Sequence, residues 1–218
     1  AFEEVERVLS RTATVLDPTS EREAAKVLRR RLFAEIDEAG AAEIVEEYGK
    51  LWTANREGLP QERPVSDHVD DFRDSFPFHP GLMDTLTDKL ATLDSFQRVR
   101  GMLRLLTRAV GNLWDAKPAD AYAVHLHHLD PTLEPIRNEI VTRLGQARYE
   151  PAMRVDAVDL AATMDKSHYG GMAPYTSFVA RNALWHTLAF NEQVRGVEQN
   201  ALRFSVLGPN MDIGFIDD

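Results

Sequence analysis

From Ser20 to Leu113 the apolar residues recur three or four positions apart, and Gly and Pro break the pattern at Gly40, at Gly58-Leu59-Pro60 and at Pro77-Phe78-His79-Pro80. This period places apolar side chains on one face of an α-helix, whereas a half-buried strand would need strict alternation. The breaks cut the pattern into helices too short to persist alone, so they must pack on one another. Ser20 with Glu23 three residues later makes a capping box for the first helix, whose stripe is Ala25, Leu28, Leu32 and Ile36 and whose stop is Gly40. Ile44, Val45, Tyr48, Leu51 and Trp52 give the second helix its face. Ser66 caps a third, with Val69, Phe72 and Phe76 inward, and Leu82, Leu86 and Leu90 mark a fourth. Asp94 or Ser95 opens the longest, striped by Phe96, Val99, Leu103, Leu106, Val110 and Leu113.

Pro118 is the expected domain boundary. Beyond it, Tyr122 to Leu126 reads as a short strand, and a helix opened by Asp130-Pro131-Thr132 carries Leu133, Ile136, Ile140 and Leu144. Helices are expected over 152–165, 176–190 and 197–207, with a turn at Gly170-Gly171-Met172-Ala173-Pro174 and a link at Gly196. Phe178, Leu184, Trp185 and Leu188, followed by Val197, Leu202, Phe204 and Leu207, suggest a helix-turn-helix-like unit, read as a scaffold or partner-binding element. Residues 12–16, Thr-Ala-Thr-Val-Leu, are the one β-prone run near the start.

Charge and composition exclude several classes of function. The net charge is -10, spread over both halves: residues 1–118 carry 17 Lys/Arg against 22 Asp/Glu, and residues 119–218 carry 8 against 13. A broad electrostatic footprint for nucleic acid is therefore missing. Cys is absent, which removes disulfides and thiolate chemistry. No apolar run reaches the ~20 residues of a membrane span, and a cytoplasmic location fits. The chain begins Ala1-Phe2-Glu3-Glu4 and stops at Phe215-Ile216-Asp217-Asp218 inside an apolar–acidic pattern, as expected for a piece of a longer protein.

The chain carries no phosphate-binding loop. That loop needs Gly, four residues, then Gly-Lys-Ser/Thr, so that backbone N–H groups cradle phosphate; Gly49-Lys50 is followed by Leu51 and has no Gly five residues before Gly49. Ile36-Asp37-Glu38 mimics an acidic Walker B end but is placed by its period in the last turn of the first helix. His125, His127, His128 and Asp130 suggest a metal, since His125 and His127 would share a strand face. No second ligand pair at suitable spacing completes a set, so no metal is expected and these His are read as lying on an exposed strand edge. His79 is expected to be a packed corner histidine donating to a backbone carbonyl.

Phe76-Pro77-Phe78-His79-Pro80, then Phe96-Gln97-Arg98-Val99-Arg100-Gly101-Met102-Leu103-Arg104-Leu105-Leu106, resembles the helical lid of large bacterial AAA+-like, origin-recognition-type ATPases of phage-defence islands, where they lie beside DNA methyltransferases. The PglY/BrxC ATPases of the BREX systems are related to this group. The similarity covers most of the chain, most specifically 76–114, and Pro18 to Phe33 and the Arg195-Gly196-Val197 turn also fit. It implies a mainly α fold: a lid over 1–118, with a remnant of the ATPase core at 1–18, then a truncated, winged-helix-like helical domain over 119–218 with minor β.

Gly101-Met102-Leu103-Arg104 matches the Gly-x-x-Arg form of a sensor 2, so the resemblance makes Arg104 the arginine that meets the γ-phosphate, with Gly101 and Arg100 beside it. The competing reading is a solvated basic face shared by Arg100, Arg104 and Arg108. Arg11, after Arg7, stands where an arginine finger would precede the lid; an ordinary surface arginine is the alternative. The implied cofactors are ATP and Mg in the parent and none in this piece. The implied partners are a separate P-loop core, further copies in an oligomer, and DNA or a methyltransferase, neither of which the charge favours. The rival function is a helical adaptor that docks DNA or a protein without any nucleotide role.

Lacking a phosphate loop, the purified chain is expected to show no ATP turnover above a mock-purified control. Sustained hydrolysis that co-purifies with the chain would contradict this.

Overall fold

The computed structural model describes residues 21–90, 98–119, 121–188 and 196–217. The expected strand at 12–16, Arg7, Arg11, Ser20, the Asp94/Ser95 cap, Phe96 and Arg195 lie outside these residues. The fold is mainly α. In chain order the helices are α1 (Glu21–Leu32), α2 (Glu38–Ala54), α3 (Val65–Ser75), α4 (Pro80–Asp84), α5 (Arg98–Ala116), α6 (Glu134–Asn138), α7 (Glu150–Arg154), α8 (Tyr175–Leu188), α9 (Gln199–Val206) and α10 (Gly214–Asp217). Wide π turns extend α4 over Thr85–Lys89, α6 over Glu139–Arg143 and α7 over Val155–Leu160, the last leading into a further α segment, Ala161–His168.

Local chemistry moves several expected boundaries. Gly40 does not close the first helix; it sits in the first turn of α2, and α1 ends at Leu32. Asp37 decides this. Its carboxylate accepts from the Ala39 and Gly40 N–H groups at 3.1 and 3.2 Å, capping α2. The Asp37 carboxylate therefore belongs to a helix cap, not to the last turn of a helix. α3 is preceded by Pro64, and Ser66 lies inside it. On α5 the fully buried positions are Met102, Leu105, Leu106 and Ala109, while Leu103, Val110 and Leu113 flank them. The true stripe is thus rotated from the expected one.

The strand expected at Tyr122–Leu126 is a single parallel bridge, Phe78 to Val124, followed by a 3-10 turn at Leu126–His128. Among the described residues no strand forms, and no β-hairpin wing follows the packed pair α8 and α9. Two backbone hydrogen bonds hold the bridge: His79 N–H to the Val124 carbonyl at 3.0 Å and Val124 N–H to the Pro77 carbonyl at 2.8 Å. The peptide bond between Phe76 and Pro77 is cis. The Pro-rich corner is fixed further by Ser75 Oγ, which donates to the Phe78 carbonyl at 2.7 Å.

Among the described residues two apolar clusters make the core. One joins α1, α4 and α5 to Val124–Leu129, α6, α7 and α8; the other joins α2 and α3 to Ala123, Tyr175, α9 and Ile216. Each draws side chains from both sides of Pro118. Trp185 on α8 is buried and donates from Nε1 to the Leu129 carbonyl at 2.7 Å, satisfying the indole inside the core.

Gly81 is where α4 meets α9. A Cβ placed there would lie 3.2 Å from the backbone Cα of Ser205. Gly81→Val is expected to lower stability by about 1–3 kcal/mol through overpacking, read as a reduced urea midpoint. An unchanged midpoint would show that the two helices separate freely.

Candidate functional site

The most distinctive polar feature is a column of rings buried between α2, α8 and α9. His79, His125, His127 and Phe178 lie in near-parallel succession: centroids are 4.3 Å apart between His79 and His125, 4.9 Å between His125 and His127, and 3.7 Å between His127 and Phe178. Each ring arrives from a different local cause. His79 is the N-cap of α4, His125 precedes the 3-10 turn that contains His127, and Phe178 lies in the first turns of α8. α8 starts where it does because Asp165 accepts from Thr176 N–H at 2.8 Å, from Ser177 N–H at 3.1 Å and from Ser177 Oγ at 2.5 Å.

The hydrogen bonds fix three of the ring tautomers. His125 Nδ1 is 2.9 Å from the Ser205 carbonyl, which only accepts, so Nδ1 carries the proton. His125 Nε2 must then accept from the Tyr48 hydroxyl at 2.7 Å. His79 Nδ1 accepts from Gly81 N–H at 3.1 Å, and His128 Nδ1 accepts from His125 N–H at 2.9 Å, which places the proton of each neutral ring on Nε2. His79 thus receives a backbone hydrogen bond where the sequence suggested that it donates one.

These imidazoles are not on an exposed edge; His79, His125 and His127 are buried. The 3-10 turn, replacing the expected strand, rolls them inward. Burial holds all four neutral. His125 is lowered to about 4 and His128 to about 3, with loss of hydration the largest cause, and His79 and His127 are pushed well below the ordinary value for the same reason. Tyr48 is raised, first by burial and then by Tyr122.

The column borders a cleft of about 440 Å³, lined by Tyr48, His125, His127, His128, Tyr175 and Phe178 and also by Met172, Asn210 and Met211. Among the described residues no Lys, Arg, Asp or Glu lines it. Among the described residues no three metal-ligating side chains converge. The chemistry agrees, since His125 has both ring nitrogens engaged and Asp130 pairs with Arg181 at 3.0 Å.

Arg104 lies elsewhere. Its side chain is 23% exposed, and Nε is 2.6 Å from Oε1 of Glu139, itself only 4% exposed, on the π turn of α6. A sensor 2 needs a guanidinium that projects from the lid; this one is engaged within the chain, so the structure argues against that role. Neighbouring Gly101 is buried in α5 and Arg100 is exposed, as a solvated helix face would have it. Arg11 lies outside the described residues. The cleft, by contrast, was missed. Its signal in the sequence was the density of His and aromatic residues in 122–128 and 169–178, which periodicity does not interpret.

A family model described as the DUF499 second domain matches residues 19–198. The chain belongs to the DUF499 family. No curated protein and no solved structure matches it. The DUF499 match spans α1 to α8 and ends just before α9, so Ser205 and the Val206–Met211 wall of the cleft lie beyond the matched residues.

Unfolding returns each buried imidazole to its ordinary value near 6.5, so below that pH the unfolded chain binds protons that the folded chain refuses. Stability is expected to be full above about pH 6.5 and to fall steadily towards about pH 5, where ordinary carboxylates remain ionised. Urea denaturation across that range tests this, and a flat profile would contradict it.

Proposed function

We propose that this DUF499 domain is the helical, non-hydrolytic part of a larger AAA+-like ATPase, coupling nucleotide state in a separate P-loop core to its own C-terminal half. ATP and Mg belong to that core. The observation that carries the reading is the Arg104–Glu139 pair, which ties α5, the helix most like an ATPase lid, to α6 beyond Pro118. An ion pair between a three-quarters buried arginine and a buried glutamate resists separation, because parting them leaves a charge without its partner. A tilt of α5 is then passed to α6 instead of being absorbed between them. Arg104 acts here as a strut, not as a reader of the γ-phosphate. The absence of a phosphate loop and the description of the matched family as a second domain both support a division of labour with another domain. Defence against phage is the setting that the lid resemblance suggests.

The rival adaptor reading is favoured by one observation. Apolar side chains stand exposed on the π extension of α7, Val155 and Leu160 each by about half, and Trp114 on α5 is 73% exposed. Such side chains suit a protein partner better than DNA, which the net charge of -10 disfavours.

In the full-length protein, ATP is expected to change hydrogen-exchange protection of α6 and α7, and Glu139→Gln to abolish that change while hydrolysis persists. Exchange in α6 and α7 that ignores nucleotide in the wild-type protein would sink the coupling reading and leave the adaptor.

A further inference from the structure

The geometry points to the His-lined cleft as a binding site for an uncharged, planar heteroaromatic ring of nucleobase type. Three observations converge on this ligand class. The volume, about 440 Å³, falls within the range of small-molecule sites. The walls are aromatic: His125 and Phe178 cover the two faces of His127, whose plane is 12° from that of Phe178, and Phe178 and Tyr175 line the cleft as rings on which a planar ligand packs. The polar side chains among these walls are imidazole, phenol and carboxamide, which offer in-plane donors and acceptors; among the described residues no charged side chain lines the cleft, and Arg181, the cation near His127 and His128, is paired with Asp130 at 3.0 Å.

His127 adds an independent sign. Its Nδ1 is buried without a hydrogen-bond partner within the protein, whereas the ring nitrogens of His125 on the same wall are fully engaged. A buried polar atom left unengaged is costly, and such atoms in a folded protein accompany a ligand or a functional demand. An aliphatic ligand would leave the imidazole edges unanswered. A heterocycle carrying both a donor and an acceptor in its plane answers them while stacking on the aromatic walls.

The rim is built to admit a ring from solvent. Met172, about half exposed, stands beside Gly171, whose φ of +83° requires glycine, and a methionine thioether adapts its shape to an aromatic surface. Opposite it, Gly208 leaves open the space between Tyr48 and the cleft. A Cβ there would sit 3.5 Å from Tyr48 Oη, 3.7 Å from Met211 Sδ and 3.9 Å from His125 Nε2, ordinary contact distances, so alanine fits the fold, and atoms beyond the Cβ would compete with a ligand for the space beside these groups.

The experiment is a titration of the full 218-residue chain, labelled at its His and Met side chains, with adenosine, cytidine, AMP, ribose 5-phosphate and a short single-stranded oligonucleotide, followed by NMR. Saturable shifts of the His127, His128 and Met172 signals with a nucleoside are expected, with none from ribose 5-phosphate. Gly208→Leu should weaken binding at least tenfold while Gly208→Ala binds within about threefold, both variants melting cooperatively like the parent chain. An oligonucleotide that moves the same signals at lower concentration than the nucleosides assigns the base to a strand; the reverse order assigns it to a free nucleoside, and either order supports the site. The proposal is overturned if millimolar nucleosides leave these signals unmoved, if ribose 5-phosphate binds as well as adenosine, or if Gly208→Leu binds undiminished. None of these outcomes depends on the ATPase reading, since the probes carry no triphosphate.

Discussion

Tyr48 donates its proton towards His125, and His125 donates its own to the carbonyl of Ser205. Three segments far apart in sequence, α2, the 122–129 stretch and α9, are held in register by those two bonds. The arrangement works only while His125 is neutral, because a doubly protonated ring would have no lone pair for the tyrosine. Burial supplies that neutrality by stripping the ring of water. The same desolvation raises Tyr48, so the phenol stays a donor and the direction of both bonds is fixed. His79 stacks on one face of His125 and His127 on the other. Each of these rings is kept neutral first by its own burial, so the column is uncharged throughout.

Much of the helical frame was legible because periodicity reports burial directly. Leu82, Leu86 and Leu90 read as one face and are all fully buried, and Ile136, Ile140 and Leu144 behave alike. Helix ends were less legible where two residues competed for the role. Gly40 looked like a stop, but Asp37 uses its carboxylate on the next two N–H groups of the chain after Glu38, and a helix start prevails over an isolated glycine. The strand reading of Tyr122–Leu126 failed for a related reason. Alternation over five residues cannot tell a strand from a bridge followed by a 3-10 turn, and the partner at Phe78 is one residue, not a ladder. Burial of the histidines could not be read at all, since imidazole is as common at surfaces as within cores. Phe178, the stacking partner of His127, is 51 residues further along the sequence and comes near only through the tertiary fold.

Arg104 shows how a local motif and a tertiary contact can disagree. Gly101-Met102-Leu103-Arg104 has the form of a sensor, and helical spacing alone puts Arg104 beside Arg100 and Arg108 on a basic face. What spacing omits is α6, whose π turn begins at Glu139 and delivers its carboxylate to the Arg104 Nε. On an α-helical wheel Glu139 flanks the face formed by Ile136, Ile140 and Leu144, where a charged side chain ordinarily turns to solvent. Glu139 would count as a surface glutamate on such a wheel, and its burial is intelligible only with the arginine opposite.

The cleft and the column are two sides of one solution to a packing problem. Aromatic and imidazole rings fill the space between α2, α8 and α9 more flatly than branched aliphatic side chains would, and flat walls meeting at different angles leave a slot where they part. A slot lined by leucines would be greasy and unselective, and one lined by charged groups would carry a heavy desolvation cost. Neutral imidazoles avoid both extremes. They are polar at the edge and aromatic on the face, so one ring can contribute to the core through its face and present hydrogen-bonding capacity through its edge. His127 does so in stacking on Phe178 while its Nδ1 stays unengaged. Replacing His127 by phenylalanine would keep the stack and the volume and remove only the edge, which separates what the ring does for the fold from what it offers a ligand.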